Sequence, residues 1–409
     1  MNDSERDIEL NDEDIFEELD VLNNSVPSSA TDKTIEKHFA TGRLRVIQDK
    51  NDFFLPHVLD FIEGRSWGNL NPEYQRRLRW DNAKKSKLIE SFIMNVPVPP
   101  VFLYEENIGK FEVMDGQQRL NAVVDFFKGR FELSGLKIWP SLNGRNFSKL
   151  PPLIRKGLER AKISAITLMS DSSETEANAL DLRAQVFERL NTGGERLNAQ
   201  ELRNSLYSGK FNQMLIKLAK NDIFTTAWDI PKHSENILSD GSPTETLKKN
   251  SLYRKMTDVE IVLRFFAFKD DEYISGSVRS MLDRTMMRNI HISDEEIEAC
   301  KNDFIFTLNL VTNLLEDSAF RVYHTTENKP PQLSRPLYDA QMIAAYQLKH
   351  RSEEILDKSH KIKKRILQVT TPESSHYELI IGRANTSSAL KERITFVKGI
   401  IEEVLDEKN

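Results

Sequence analysis

Beyond residue 215 the sequence carries helical periodicity only. Apolar residues recur at intervals of three and four, and no run alternates between apolar and polar residues as a half-buried strand would. The helical segments are 258–270, 295–316, 338–350, 350–368 and 387–407. A sheet that runs through the whole chain is therefore excluded, and we predict an all-helical domain over residues 216–409.

Strand patterns are confined to the first half of the chain. With 409 residues, the chain is too long for one comfortable core, so two folded units are expected. We predict an α+β fold: a small mixed core at residues 34–215, then the helical domain. Residues 235–250, rich in Gly, Pro, Ser and Thr, are predicted to be a mobile connection. The predicted strands are 43–48, 100–106, 110–114 and 162–169, and the predicted helices between them are 54–64, 82–94, 116–128 and 173–190.

The charge is distributed unevenly along the chain. Residues 1–20 hold ten acidic side chains and one basic one, Arg6. Subtracting these from the 63 acidic and 57 basic residues of the whole chain leaves 53 and 56, a net charge of about +3 on the remainder. Such acidic segments are usually solvated and disordered. We predict that residues 1–33 form an acidic disordered tail.

Removal of this tail is expected to leave the thermal unfolding midpoint almost unchanged. Residues 1–33 offer too few apolar side chains to offset the entropy of ordering them. The measurement is thermal unfolding of the chain with and without these residues. A large drop in the midpoint would show that the tail packs on the folded body.

Cysteine content and the N-terminus bear on the compartment. The single cysteine, Cys300, cannot form an intramolecular disulfide or a multi-cysteine zinc site. The N-terminus lacks the basic and apolar regions of a signal peptide, and no apolar run approaches the length of a membrane span. We expect a cytoplasmic protein without membrane contact, and the oligomeric state stays open.

The stretch "FEVMDGQQRL" places polar side chains where a predicted strand meets a predicted helix. One interpretation is purely structural: Asp115 caps the helix, and Gln118 at the third helical position completes a capping box. Arg119 does not fit this interpretation, because Met114 would then need an apolar partner at position 119 to form a hydrophobic staple. A cation also lies unfavourably at the positive end of a helix dipole.

An anion at this helix start would explain the arginine. Gly116 permits close approach of the backbone, and amides together with a guanidinium suit a phosphate group. The stretch lacks the Lys-Ser/Thr of a P-loop and two of the three glycines of a dinucleotide fingerprint. The pattern therefore favours phosphate binding only somewhat over simple capping.

Two further stretches have a composition suited to nucleotides. "YQRRLRW" at 74–80 sets Gln75 and Arg76 between aromatic residues, although an exposed basic surface is a common alternative. "FERLNTGGERLN" at 187–198 crowds Asn191 and Gly194 into what also reads as an ordinary helix end.

In this order, and with the late "IGRANTSSALKERI", the stretches resemble the ParB/sulfiredoxin-like family that forms the N-terminal domain of GmrSD-type restriction endonucleases. The resemblance covers residues 50–215 and, more loosely, the helical remainder. It implies a nucleotide site, with hydrolysis of a nucleoside triphosphate tied to action on DNA in phage defence. By motif it implies catalytic roles for Asp115 and Arg119, and nucleotide binding by Gln75, Arg76, Gly116, Gln117, Gln118, Arg119, Asn191 and Gly194.

The chain departs from the full restriction enzyme in its C-terminal half. The family's nuclease domain carries a histidine-based metal motif, and the eight histidines of this sequence form no such pair. We therefore expect no nuclease activity in this chain and a protein partner that would supply it.

Two hypotheses remain. In the first, the protein is an NTPase-type switch in which Asp115 or Glu112 holds a magnesium ion or orients water. In the second, it is a non-catalytic DNA-interacting or regulatory protein that uses the same basic motifs. For the second, DNA contacts are also expected from a late basic cluster on residues 358–366: Lys358, Lys361, Lys363, Lys364 and Arg365. A solvated helix face explains that cluster about as well.

Overall fold

The computed structural model describes residues 31–41, 47–63, 80–107, 109–169, 198–207, 209–239, 241–323, 330–382 and 386–407. The first 30 residues of the predicted tail and the predicted helix 173–190 lie outside these ranges. The chain divides into two compact units, Met1–Arg43 and Leu44–Asn409. In the first unit the described element is helix α1, Asp32–Thr41. A domain boundary at residue 215 remains a prediction.

A four-stranded mixed sheet organises the first part of the second unit. Its strands are β1 (Ile47–Phe54), β2 (Val101–Asn107), β3 (Lys110–Asp115) and β4 (Lys162–Met169), in the spatial order β1-β4-β2-β3. β4 pairs antiparallel with β1 and parallel with β2, and β2 pairs antiparallel with β3. The predicted strands are thus confirmed, except that β1 lies about four residues later than predicted.

Four helices pack on one face of this sheet. Their apolar residues form a continuous core with Val101, Leu103, Val113, Ile163 and Ala165 of the strands. The helices are α2 (Leu55–Glu63), α3 (Asn82–Ile93), α4 (Gln117–Phe127) and α5 (Pro152–Arg160). The sequence predicts the first three from their apolar period. It does not predict α5, which begins on two consecutive prolines.

Helix α6, Ala199–Leu206, packs on the opposite face of the sheet. Its Leu202 and Leu206 contact a cluster made by Tyr104, Met114 and Leu168. Asn198 caps this helix and Glu201 completes the capping box, as the sequence predicts. The sheet is therefore covered on both faces.

The remainder is almost entirely helical, which confirms an α+β fold with a mostly helical second part. Long helices surround a buried aromatic core in which Phe265 and Phe266 pack against Phe304. The described helices are α7 (Lys210–Leu218), α8 (Asp222–Ala227), α9 (Glu245–Lys249), α10 (Ser251–Arg254), α11 (Thr257–Phe268), α12 (Val278–Arg288), α13 (Asp294–Leu315), α14 (Arg335–Gln347), α15 (Ser352–Asp357), α16 (Ser359–Val369), α17 (Tyr377–Ile381) and α18 (Ser387–Asp406). A two-stranded pair, Arg321–Val322 with Gln332–Leu333, adds β5 and β6.

Two expectations for this half are wrong. The stretch 235–250 carries regular structure: Ile237 bridges to Pro243, Thr244 caps α9, and Leu247 is buried. The predicted helix 350–368 is broken at Lys358, between α15 and α16. The Lys358 ammonium donates to the backbone carbonyls of Val404, Leu405 and Glu407 at the end of α18, so the break satisfies that helix terminus.

Buried ion pairs join α6 to the helices that follow. The Arg203 guanidinium, 3% exposed, lies 2.7 Å from Asp283 on α12 and 3.1 Å from Glu260 on α11. Arg335 at the start of α14 contacts the other oxygen of Glu260 at 3.3 Å. We call these four residues the α6 ion cluster. Burial alone would raise the pKa of Glu260, but Arg203, Arg335 and Arg264 outweigh it and lower that pKa.

Within the described residues, no helix combines the length and apolar character needed to cross a bilayer.

Candidate functional site

The junction between β3 and α4 turns on Gly116. β3 ends at Asp115, α4 begins at Gln117, and Gly116 between them has a φ of +96°. A Cβ at this position would lie 2.5 Å from the Val101 side chain and 2.9 Å from the Arg119 guanidinium. The residue must therefore be glycine for two reasons, its left-handed backbone and the close approach of β2.

A β-bulge lies directly before this turn. Leu103 pairs with Val113 and Phe102 pairs with Asp115, so Met114 is an extra residue in β3. Bulges re-aim side chains and are over-represented next to active sites. Here the bulge lets Met114 join the apolar cluster on the α6 side of the sheet.

These facts overturn the capping interpretation. The residue that caps α4 is Gly116, and no side chain caps the helix, so Asp115 is not the N-cap. The staple argument is also wrong, because Met114 packs with Tyr104, Leu168 and Leu206 on the opposite face of the sheet from the helix. The N-cap residue of α4 therefore offers no side-chain acceptor to the backbone N–H groups of the first turn.

Arg119 is held by two oxygens at this helix start. Its Nη2 donates to Asp115 Oδ2 at 2.6 Å and to the carbonyl oxygen of Pro100 at 3.1 Å. The side chain is 15% exposed, and that of Asp115 is 34% exposed. The buried Nε of Arg119 has no hydrogen-bond partner among the described residues. A donor therefore remains on the guanidinium beside a helix N-terminus, a combination that suits an anionic oxygen.

The first two motifs in chain order, "YQRRLRW" and "FEVMDGQQRL", meet at Trp80. Trp80 is the last residue of "YQRRLRW", and its backbone N–H donates to Gln118 Oε1 at 3.3 Å. The Lys84 ammonium lies 5.3 Å from the centre of the Trp80 ring. The chain that follows the first motif thus runs against the first turn of α4, and a cation lies nearby.

The third motif is linked to this junction only through α6. "FERLNTGGERLN" finishes at Asn198, the cap of α6, and α6 packs on Met114, the residue before Asp115. The contact with Met114 is made by Leu202 and Leu206 of α6, whereas the Asn198 side chain donates to the Lys255 carbonyl oxygen. Among the described residues, only the first two motifs meet at the Gly116 turn.

Several predicted site residues lie outside the described part of the chain: Gln75, Arg76, Asn191 and Gly194. Of the predicted nucleotide-binding residues, the structure brings together Gly116, Gln117, Gln118 and Arg119, with Asp115 beside them. Two contributors were missed, the Pro100 carbonyl and the Val101 side chain. The "VPVPP" stretch before β2 carries no signal for either role.

Magnesium fits this junction only through a bound phosphate. Among the described residues, no group of three or more His, Cys, Asp or Glu side chains could hold a metal ion. Mg²⁺ in nucleotide sites usually takes one or two carboxylates and completes its shell with phosphate oxygens and water. Asp115 is the carboxylate at this junction, and it already accepts a hydrogen bond from Arg119.

The late basic cluster is largely neutralised. Lys358 binds the end of α18, Lys363 pairs with Glu316 at 2.6 Å, and Arg365 pairs with Glu403 and Glu407. Lys361 and Lys364 are exposed. This cluster is therefore a surface of paired charges, which weakens its interpretation as a DNA contact.

A comparison with family models gives one match. Residues 58–208 match the model described as GmrSD restriction endonuclease, N-terminal domain. No curated protein and no solved structure matches the chain. The matched residues contain the β3–α4 junction, Trp80 and α6. Residues 58–208 of this chain are thus similar to the N-terminal domain of GmrSD restriction endonucleases.

Proposed function

We propose that the protein is a nucleotide-binding, NTP-hydrolysing component of a restriction system, one that acts with DNA and with a partner that supplies the nuclease. The restriction context comes from the family match. One observation carries the nucleotide assignment: two polar motifs that are distant in sequence meet at the Gly116 turn, where a buried arginine has a donor to spare among the described residues.

In this proposal the phosphates lie at the N-terminus of α4. The first-turn N–H groups and the helix dipole attract negative charge, and Gly116 keeps the approach free of a side chain. Arg119 contributes a charge-assisted hydrogen bond through its guanidinium. Asp115 is the residue that would hold a Mg²⁺ ion, which would neutralise phosphate charge.

Asp115 has two roles in this arrangement. In the structure its carboxylate fixes Arg119, and in the nucleotide complex it would face the metal or the attacking water. The carboxylate is one-third exposed, so it can reach both without a rearrangement of the strand.

The direct test is equilibrium binding of labelled nucleoside triphosphates, with and without Mg²⁺, followed by a phosphate-release assay. Saturable binding that Mg²⁺ strengthens, together with phosphate release, is the expected result. Binding without release would replace the NTPase by the second hypothesis, a non-catalytic regulatory module. If no triphosphate binds, the proposal fails as a whole.

Arg119→Met is expected to weaken nucleotide binding by about 10- to 100-fold, because a charge-assisted contact to phosphate is lost. The variant should also lose about 1–2 kcal/mol of stability. Asp115 loses its partner but is exposed enough to be rehydrated. The measurements are nucleotide titration and thermal unfolding.

Arg130→Met is the matched control for this variant. Arg130 follows the other end of α4 and pairs with Asp125 at 3.1 Å, but its side chain is 55% exposed. Its replacement should leave nucleotide affinity unchanged. Equal affinities for Arg119→Met and the wild-type protein would make Arg119 a purely structural residue.

A further inference from the structure

Positive charge is concentrated in one segment that the motifs above do not include. Residues 128–162 hold nine basic and two acidic residues, a net charge of +7 in a chain whose formal net charge is −6. The rest of the chain therefore carries −13. The basic residues are Lys128, Arg130, Lys137, Arg145, Lys149, Arg155, Lys156, Arg160 and Lys162; the acidic ones are Glu132 and Glu159.

This segment folds as a connected piece between α4 and β4. The backbones of Leu133 and Gly144 or Arg145 are joined by two hydrogen bonds, at 2.8 and 2.9 Å. Leu158 anchors α5 in the core below the sheet. All the basic side chains except that of Arg155, which is half-buried, are exposed. The charge is therefore displayed on a fixed surface, which we call the basic surface.

Few of these charges are neutralised within the described part of the chain. Arg130 pairs with Asp125, and Lys149 pairs with Glu132 at 2.7 Å. The cations Lys137, Lys156 and Arg160 form no ion pair with a described residue. In residues 358–366, by contrast, most charges are paired. A polyanion would therefore bind more favourably to the basic surface than to that segment.

A shallow concavity of about 770 Å³ lies in the same segment. Its lining includes Arg130, Asn143 and Asn146 and three glycines with left-handed backbones, Gly129, Gly135 and Gly144. Open space surrounds the positions where side chains of Gly129 and Gly144 would begin. Amide groups and uncovered backbone are among the partners that proteins present to phosphate oxygens.

We propose that the basic surface binds the phosphate backbone of duplex DNA without regard to sequence. The choice of DNA rests on the proposed function. The choice of a duplex rests on composition: a single-stranded ligand is held by stacking on several aromatic rings, and the exposed aromatic side chain of this segment is Trp139. The eleven residues of α4 separate Lys128 and Arg130 from the Gly116 turn by about 16 Å.

The test is a salt titration of DNA affinity in the absence of nucleotide. Fluorescence anisotropy of a labelled 30-base-pair duplex gives the slope of log K against log salt for the full chain. The variant Lys156→Gln/Arg160→Gln removes two exposed cations from one face of α5. Its slope should be smaller by about 2, since each phosphate contact contributes about 0.9.

Lys361→Gln/Lys364→Gln is the matched control, because it removes two exposed cations from α16. Its slope should equal that of the wild-type protein, and both variants should keep the wild-type unfolding midpoint. An unchanged slope for the α5 variant would overturn the proposal, as would tighter binding of single-stranded DNA or of RNA than of the duplex.

Nucleotide titration of the same proteins separates the two proposals. The α5 variant should bind nucleotide as the wild-type protein does. Loss of DNA affinity in the α5 variant, with no nucleotide binding by any protein, would sink the proposed nucleotide function and leave the basic surface standing. Normal nucleotide binding together with full DNA affinity in the α5 variant would overturn the proposed DNA site and leave the nucleotide function standing.

Discussion

Arg203→Met should lower the free energy of unfolding by about 3 kcal/mol. The change removes the cation that compensates Glu260 and Asp283, and breaking a buried pair typically costs about 3–5 kcal/mol. The loss falls toward the lower end because Glu260 keeps Arg335 and Asp283 is 20% exposed. Denaturant unfolding of the two proteins measures it.

The comparison variant is Arg365→Met. Arg365 also bridges two carboxylates, Glu403 and Glu407, but its side chain is 45% exposed. Surface pairs contribute about 0–1 kcal/mol, so this variant should be nearly neutral. A similar loss in both variants would show that burial of the α6 ion cluster is irrelevant to its contribution.

The Arg203→Met effect should also depend on pH. The pKa of Glu260 is lowered in the folded protein from its ordinary value of 4.5, so the wild-type stabilisation is complete above that value and is lost as the pH falls through the lowered pKa. Without Arg203 the pKa of Glu260 rises. Protonation of Glu260 at acid pH then removes the uncompensated buried charge that destabilises the variant. The difference between the proteins should therefore shrink below about pH 4.5. A difference that grows on acidification would contradict this account.

Gly116→Ala should be destabilising by about 2–5 kcal/mol and should abolish nucleotide binding. A residue with a side chain strains the left-handed backbone by about 1–2 kcal/mol. The new Cβ would lie 2.5 Å from Val101 Cγ1, and such overpacking adds about 1–3 kcal/mol. Thermal unfolding and nucleotide titration report the two effects.

Two further variants divide this cost into its parts. Gly144→Ala carries the backbone strain alone, because its φ is +79° and nothing lies within 4 Å of the new Cβ. Gly116→Ala combined with Val101→Ala removes the closest contact, that with Val101 Cγ1 at 2.5 Å, and should cost less than the sum of the two single changes. Equal losses for Gly116→Ala and Gly144→Ala would mean that the approach of Val101 does not constrain the turn.

The sequence predicts the helices and strands whose own residues show a hydrophobic period. It does not predict features that depend on contacts with residues distant in sequence. Helices α3 and α4 follow from their apolar stripes, and β4 from a buried apolar run. The predicted position of β1 is about four residues too early because residues 48–52 are polar. Its position is set instead by eight-residue pairing with β4, more than 100 residues away. α5 was missed because its apolar period is short and its start is occupied by prolines.

The same limit applies to the candidate site. The strand-turn-helix junction and the special place of Gly116 follow from "VMDGQQRL" alone. The bulge at Met114 and the contact with Val101 depend on β2, and the pairing of Arg119 with Asp115 depends on a turn conformation that a capping box would have excluded. The α6 ion cluster depends on partners 57 to 80 residues away in sequence and has no local pattern.

This distance has a consequence for the order in which the chain matures on the ribosome. Arg203 is synthesised 80 residues before Asp283, and at 5–20 residues per second its partner follows after about 4–16 s. Burial of the Arg203 guanidinium requires a carboxylate partner. Until that partner is synthesised, α6 stays exposed to solvent, with its leucines not fully packed against the sheet. The region that matches the GmrSD N-terminal domain thus completes its fold only after residues well beyond its own end have emerged. The interval before that is when a chaperone would find it exposed.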